Sequence, residues 1–146
     1  MGSVYSRLLD FALHECQLAL LVVRPEMELS ARGAHVIEQL TPLIYHVADE
    51  DRWPGTQLIG QTASVYHFKF NHESLIALQE FSTRLYQWIQ PDLPEDLCLL
   101  RSPDEPWLVS ITHENDSYLI LSEPELAVLT AEISELSDML IKDEQT

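Results

Sequence analysis

The segment from Leu97 to Leu121 most constrains the fold of this chain. It contains three short apolar runs, Leu97–Leu100, Trp107–His113 and Ser117–Leu121, and the connections between them are too short to contain a helix. Parallel neighbours need a crossover of a dozen or more residues, whereas antiparallel neighbours can be joined by a tight turn. The segment therefore predicts three consecutive strands of an antiparallel sheet.

Apolar periodicity predicts the remaining elements. Apolar residues at helical spacing predict one helix that begins near residue 3. They predict further helices after three residues that can cap a helix, Ser30, Asn71 and Ser122. The second of these helices either ends near Leu40 or kinks at Pro42 and continues toward Val47. A continuous apolar run at 17–23 and an alternating run at 62–70 predict further strands. We expect one α+β domain over residues 1–146, with three main helices and a mostly antiparallel sheet of about five strands.

The last helix has the clearest start. Ser122 with Glu125 matches a capping box, and the apolar residues that follow form a seam of two heptads. A coiled coil needs about three or four heptads, so we expect the seam to pack on the sheet, with self-association as a homodimer as the alternative. The outer side of this helix carries an acidic stripe, which consists of Glu132, Glu135 and Asp138.

Net charge excludes several classes of partner. The chain has 24 acidic and eight basic residues, a net charge of −16, and residues 91–146 contribute fourteen acids against two bases. Nucleic acids and anionic membranes are bound through Lys and Arg, so this surface would repel them. The longest apolar run, Leu18–Val23, is far shorter than a membrane span. With no targeting segment and two apolar-flanked cysteines, we expect a cytoplasmic protein.

The pair His113–Glu114 resembles a catalytic dipeptide but is better explained as a hairpin tip. A two-residue turn at Asn115–Asp116 places His113 opposite Tyr118 and puts Glu114 on the other face of the sheet. Two groups on opposite faces cannot act on one proton. The zinc-protease pattern also needs a second histidine four residues on, which is absent here.

No other motif predicts chemistry. The sequence has no GxSxG nucleophile signature and no glycine-rich phosphate loop, so we predict no catalytic residue, no cofactor and no metal site. His67, His72 and His113 would form a three-histidine site only if two hairpins were neighbours, which no spacing requires. A small hydrolase that uses His67, His72 and Glu114 is the enzymatic alternative.

The acidic half and the tryptophans lead to the function hypothesis. Trp53 and Trp107 lie between charged residues where loops meet strands, and they either close the ends of the core or anchor a protein interface. We expect a non-enzymatic binding protein for a basic partner, such as an immunity protein or inhibitor that blocks a toxin. A housekeeping or structural module that self-associates is the alternative. The predicted partner-binding residues are Trp53, Asp104, Glu105, Trp107, Glu132, Glu135 and Asp138.

Overall fold

The computed structural model describes residues 3–140. The strands are β1 (Leu18–Val23), β2 (Ile44–Glu50), β3 (Arg52–Trp53), β4 (Thr56–Gln57), β5 (Ala63–Lys69), β6 (Glu95–Ser102), β7 (Glu105–Ile111) and β8 (Asp116–Leu119). The helices of this described part are α1 (Val4–Ala12), α2 (Ala31–Leu40), α3 (His72–Phe81), α4 (Glu123–Glu132) and α5 (Leu136–Met139).

Six strands form one sheet in the order β2-β5-β1-β6-β7-β8, and β3 pairs with β4 in a separate hairpin. Every neighbouring pair is antiparallel, which confirms the α+β class and the antiparallel order predicted from the short connections. The sheet has one strand more than expected. Among the described residues, four helices of nine or ten residues and one of four residues stand against the three main helices predicted.

Strand β1 lies at the centre of the sheet, between β5 and β6, and has both faces covered. Ala19 and Leu21 pack against the helices, on what we call the helical side of the sheet. Leu20 and Val22 point to the opposite side, where Trp53 of the β3–β4 hairpin covers them; we call this the hairpin side. Because neither face meets water, an uninterrupted apolar run is what this position requires.

The predicted helix caps are confirmed. The side chains of Ser30, Asn71 and Ser122 accept hydrogen bonds from backbone N–H groups in the first turns of α2, α3 and α4. Ser122 and Glu125 form the expected reciprocal capping box. The apolar seam after Ser122 also packs inward, because Leu129, Ile133 and Leu136 belong to the core.

α2 ends where the first of the two sequence alternatives placed its end, whereas α3 ends before the helical apolar spacing that continues to Trp88. α2 ends at Leu40, and after a single turn at Thr41–Leu43 the chain becomes strand β2 rather than a kinked continuation. Pro42 lacks the N–H that a helix interior needs, so the chain leaves the helix there. α3 ends at Phe81 because the Gln87 side chain accepts from the backbone N–H of Thr83 and Arg84, which stabilises a competing turn.

The two-residue turn predicted at Asn115–Asp116 is wrong. Ile111 pairs with Asp116 and Ser110 pairs with Ser117, so the connection is a turn of 3₁₀ helix at 112–114 that ends at Asn115 in the left-handed region (φ 51°). The cause is a buried side chain. Asp96 accepts hydrogen bonds from the backbone N–H and the hydroxyl of Thr112, which draws Thr112 out of the ladder.

Both cysteines are buried free thiols, as expected from their apolar flanks. Burial raises the pKa of Cys16 to about 12 and that of Cys98 to about 12. Among residues 3–140, no helix combines the length and apolar character required to cross a membrane.

Candidate functional site

A cleft of about 650 Å³ opens on the hairpin side of the sheet, between the β3–β4 hairpin and the ends of β5 to β8. Its floor includes Leu20 of β1, Leu100 of β6 and Pro106 of β7, and its rim includes two acidic side chains, Glu50 and Asp104. We call this concavity the hairpin-side cleft. It combines an apolar floor with charges of both signs, because Arg52 lies in the lining beside the two carboxylates.

The hairpin that bounds the cleft is held tightly against the sheet. Gly55 lies at its turn with φ +86°, and a Cβ at this position would approach Val109 Cγ1 to 2.8 Å. Trp53 is buried, and its indole N–H donates to a carboxylate oxygen of Asp96 (3.1 Å). The turn at Trp53-Pro54-Gly55 therefore lets the backbone lie close to the sheet, and a larger residue at Gly55 would prevent this.

A buried ionic network lies beneath the hairpin. Glu95 and Asp96 are both completely buried at the start of β6. Arg24 Nε donates to Glu95 Oε2 at 2.9 Å, Arg24 Nη2 lies 3.7 Å from Asp96 Oδ2, and the guanidinium lies over the Trp53 ring, 5.4 Å from its centre. Buried carboxylates require such partners, because a charge taken out of water without compensation costs several kcal/mol.

His113 belongs to this network rather than to a catalytic dyad. Its Nε2 donates to Glu95 Oε1 (2.8 Å). Glu114 is exposed in the same 3₁₀ turn, and Glu95 is bonded to His113 rather than to Glu114. Because Glu95 bonds, among residues 3–140, only to Arg24, His113 and the backbone N–H of Gln90, we interpret the network as structural.

The two predicted tryptophan anchors do not reach the surface, so this part of the site prediction is wrong. Trp107 is completely buried and stacks on Phe11 of α1, with ring centres 6.1 Å apart. Trp53 is buried beneath the hairpin. Both residues close an end of the core, which is the alternative that the sequence left open.

The five predicted acidic residues are exposed but do not form one surface. Asp104, in the β6–β7 turn beside Glu105, lines the hairpin-side cleft. Glu132, Glu135 and Asp138 lie on the helical side, where Glu135 pairs with Arg7 of α1. The expected continuous docking surface is therefore divided by the sheet.

Arginines from the first half of the chain neutralise part of the acidic second half. Arg7 pairs with Glu135, Arg24 with Glu95 and Arg32 with Asp92. Asp104, by contrast, forms no ion pair within the described part of the chain, and the same is true of Glu132 and Asp138. Sequence reasoning treated the two halves separately and so missed these pairings.

One cluster of possible metal ligands, which the sequence did not predict, lies at the cleft's outer end. His46 of β2 and His67 of β5 are cross-strand partners, with ring centres 5.3 Å apart. His67 Nε2 donates to Glu50 Oε2 at 2.9 Å, and one ligand atom from each of the three residues lies within 4.8 Å of the others. His46 was missed because the alternative in which the second helix continued past Pro42 toward Val47 placed it on that helix.

The three-histidine convergence considered from the sequence is not observed. Within residues 3–140, His46, Glu50 and His67 are the one group with metal-ligand geometry, and neither His72 nor His113 belongs to it. His72 is exposed at the start of α3. His113 is held by Glu95, whose strand is separated from β5 by β1.

These features define a one-domain α+β protein with a rigidly bounded cleft that Glu50, Asp104 and Arg52 line. Comparisons with protein-family models, with curated proteins and with solved structures found no match to this chain.

Proposed function

We propose that this protein is a non-enzymatic binding protein that holds a basic segment of another protein in the hairpin-side cleft. An immunity protein or an inhibitor that blocks a cationic toxin would act in this way. The observation that carries the proposal is the position of Asp104, an exposed carboxylate without an ion-pair partner, at the rim of a concave surface with an apolar floor.

The lining of the cleft suits an extended segment in which basic and apolar residues alternate. Pro103 and Pro106 offer apolar area to bury, whereas Leu20 and Leu100 beneath them are already about 1% exposed. Glu50 and Asp104 attract cationic side chains from the rim. Tyr118, at 43% exposure, also lines the cleft and supplies the accessible aromatic ring that the buried tryptophans do not. In such interfaces the apolar contacts provide affinity, and the charges raise the association rate.

The distribution of basic residues supports a protein partner over a nucleic acid. Five arginines form ion pairs within the described residues, namely Arg7, Arg24, Arg32, Arg52 and Arg101. Few cations are left for phosphate contacts, on which nucleic-acid affinity depends. The unpaired thiols support a reducing compartment, so we place the interaction in the cytoplasm.

The test is binding of a fluorescent peptide with alternating Lys and Leu, compared with a peptide of equal length that carries Glu in place of Lys. Charge reversal of Asp104 and Glu105 to Lys should lower the association rate of the Lys peptide about tenfold at low salt. Charge reversal of Glu132 and Asp138 to Lys is the matched control, because it changes net charge equally on the helical side.

The proposal predicts that the control variant keeps an association rate close to that of the unsubstituted protein. An equal loss in both variants would mean that net charge, rather than the cleft, attracts the peptide. Equal binding of the Lys and Glu peptides would also contradict the proposal.

Self-association is a second candidate, which edge strand β2 favours. Tyr45 and Val47 are apolar side chains about half exposed on this edge, beside unpaired backbone groups. An exposed strand edge can pair with a second copy of the same strand. Sedimentation equilibrium should then show a dimer that Val47→Lys disrupts, and a monomer at all protein concentrations would exclude this candidate.

A further inference from the structure

We propose that His46, Glu50 and His67 bind one zinc ion at the outer end of the hairpin-side cleft. Two imidazoles and one carboxylate form a ligand set used by zinc sites that leave one coordination position open. Imidazole nitrogens favour zinc over calcium and magnesium, which prefer ligand sets made entirely of oxygen.

The sheet brings these three residues together from two strands. His46 and His67 are register partners in the antiparallel pair β2–β5, and side chains at directly paired positions lie on the same face. Strand alternation places Glu50 on that face as well, with Ala48 between it and His46. Because Ala48 has a small side chain, the space between His46 and Glu50 stays open.

The distances are close to those that zinc requires. Tetrahedral ligands about 2.0–2.1 Å from the metal lie roughly 3.3 Å from one another. In the structure, His67 Nε2 and Glu50 Oε2 are 2.9 Å apart, and the three ligand atoms lie within 4.8 Å of one another. Zinc would replace the hydrogen bond between His67 and Glu50. The side chain of His46 is exposed and can rotate to complete the set.

The surroundings leave the site accessible. Glu50 and His67 both line the hairpin-side cleft, so a zinc ion bound to them can take water as a further ligand from the cleft. Neither cysteine is part of the group, and both thiols are buried. The ligand set is therefore nitrogen and oxygen only, which a spectroscopic experiment can distinguish from a thiolate site.

The experiment is a titration of the full chain, freed of metal by dialysis against a chelator, with zinc alone in competition with a chromophoric chelator. We expect one zinc ion per chain, and at least a tenfold weaker affinity in His46→Gln, Glu50→Gln and His67→Gln. His35→Gln is the matched control, because His35 lies 3.5 Å from Glu38 on the exposed face of α2 and no third ligand joins this pair within residues 3–140. Its zinc affinity should be unchanged.

Two measurements on the unsubstituted protein keep the inference testable even if a variant fails to fold. Zinc should shift the ring resonances of two histidines and leave those of His35 and His72 in place. Cobalt in place of zinc should give a spectrum without a thiolate charge-transfer band. A thiolate band, shifts at other histidines, or stoichiometric binding that persists in the folded His46→Gln/His67→Gln double variant would overturn the proposal.

Discussion

Replacement of Arg24 by Met tests whether the ionic network beneath the hairpin holds the fold together. The Arg24 side chain is 14% exposed, and the carboxylates that it faces, Glu95 and Asp96, are 0% and 1% exposed. Met fills a similar volume but removes the guanidinium, so both carboxylates lose a cationic partner while they remain shielded from water.

The expected cost is large for a domain of this size. Removal of one partner of a buried ion pair typically destabilises a protein by about 3–5 kcal/mol. The total free energy of unfolding of a small protein is about 5–15 kcal/mol, so the variant loses a substantial share of its stability. With a urea dependence of roughly 2 kcal/mol/M, the unfolding midpoint should fall by about 2 M.

The assay is equilibrium unfolding in urea, followed by tryptophan fluorescence, since Trp53 touches both Arg24 and Asp96. Arg52→Met is the matched control, because Arg52 and its partner Asp51 are 70% and 53% exposed and such a pair contributes less than about 1 kcal/mol. The double variant Arg24→Met/Glu95→Gln should recover part of the loss, because it removes one of the uncompensated charges.

Two results would refute this reasoning. A loss below about 1 kcal/mol in Arg24→Met would mean that water reaches the carboxylates and that the network is not dry. A double variant whose loss equals the sum of the two single losses would mean that Arg24 and Glu95 are not energetically coupled.

Two further predictions concern single residues. The backbone N–H of Ser122 and the Arg101 guanidinium lower the pKa of Glu125 from 4.5 to about 2. A lowered pKa stabilises the fold above pH 4.5, and this stabilisation is lost as the pH falls toward 2. In urea unfolding, Glu125→Gln should therefore lower the free energy of unfolding by about 1 kcal/mol at pH 6, a value reduced for partial exposure, and should leave it unchanged near pH 2. His113→Ala removes a hydrogen bond to a buried carboxylate and should cost about 1.5–3 kcal/mol, while exposed Glu114→Gln costs under 0.5 kcal/mol. Equal midpoints for the last two variants would contradict the assignment of His113 to the network.

The larger expected effect of His113→Ala is a consequence of the tertiary structure. From the sequence, His113 was a hairpin-tip residue whose replacement would cost at most about 1 kcal/mol. The structure places its ring against Glu95, eighteen residues earlier in the chain. His113 and Glu114 are neighbours in one 3₁₀ turn rather than residues on opposite faces of a strand, and His113 is the one that contacts Glu95.

Local chemistry let the sequence alone predict the elements and the class of the fold. Ser30, Asn71 and Ser122 cap helices because each side chain reaches an N–H two or three residues away, without help from the rest of the protein. The run Leu18–Val23 predicts a fully buried strand because it has no polar face. The short connections after Leu97 require antiparallel neighbours.

Only the tertiary structure decided which side chains meet. Arg24, Glu95 and Trp53 are far apart in the chain, and a network of this kind leaves no periodic signal in the sequence. His46 and His67 become neighbours through strand register, which depends on where α2 ends and on a bulge between Ile44 and His46. Burial likewise depends on the packing of whole layers, which is why Trp53 and Trp107 could be core residues or surface anchors until the sheet and its two sides were known.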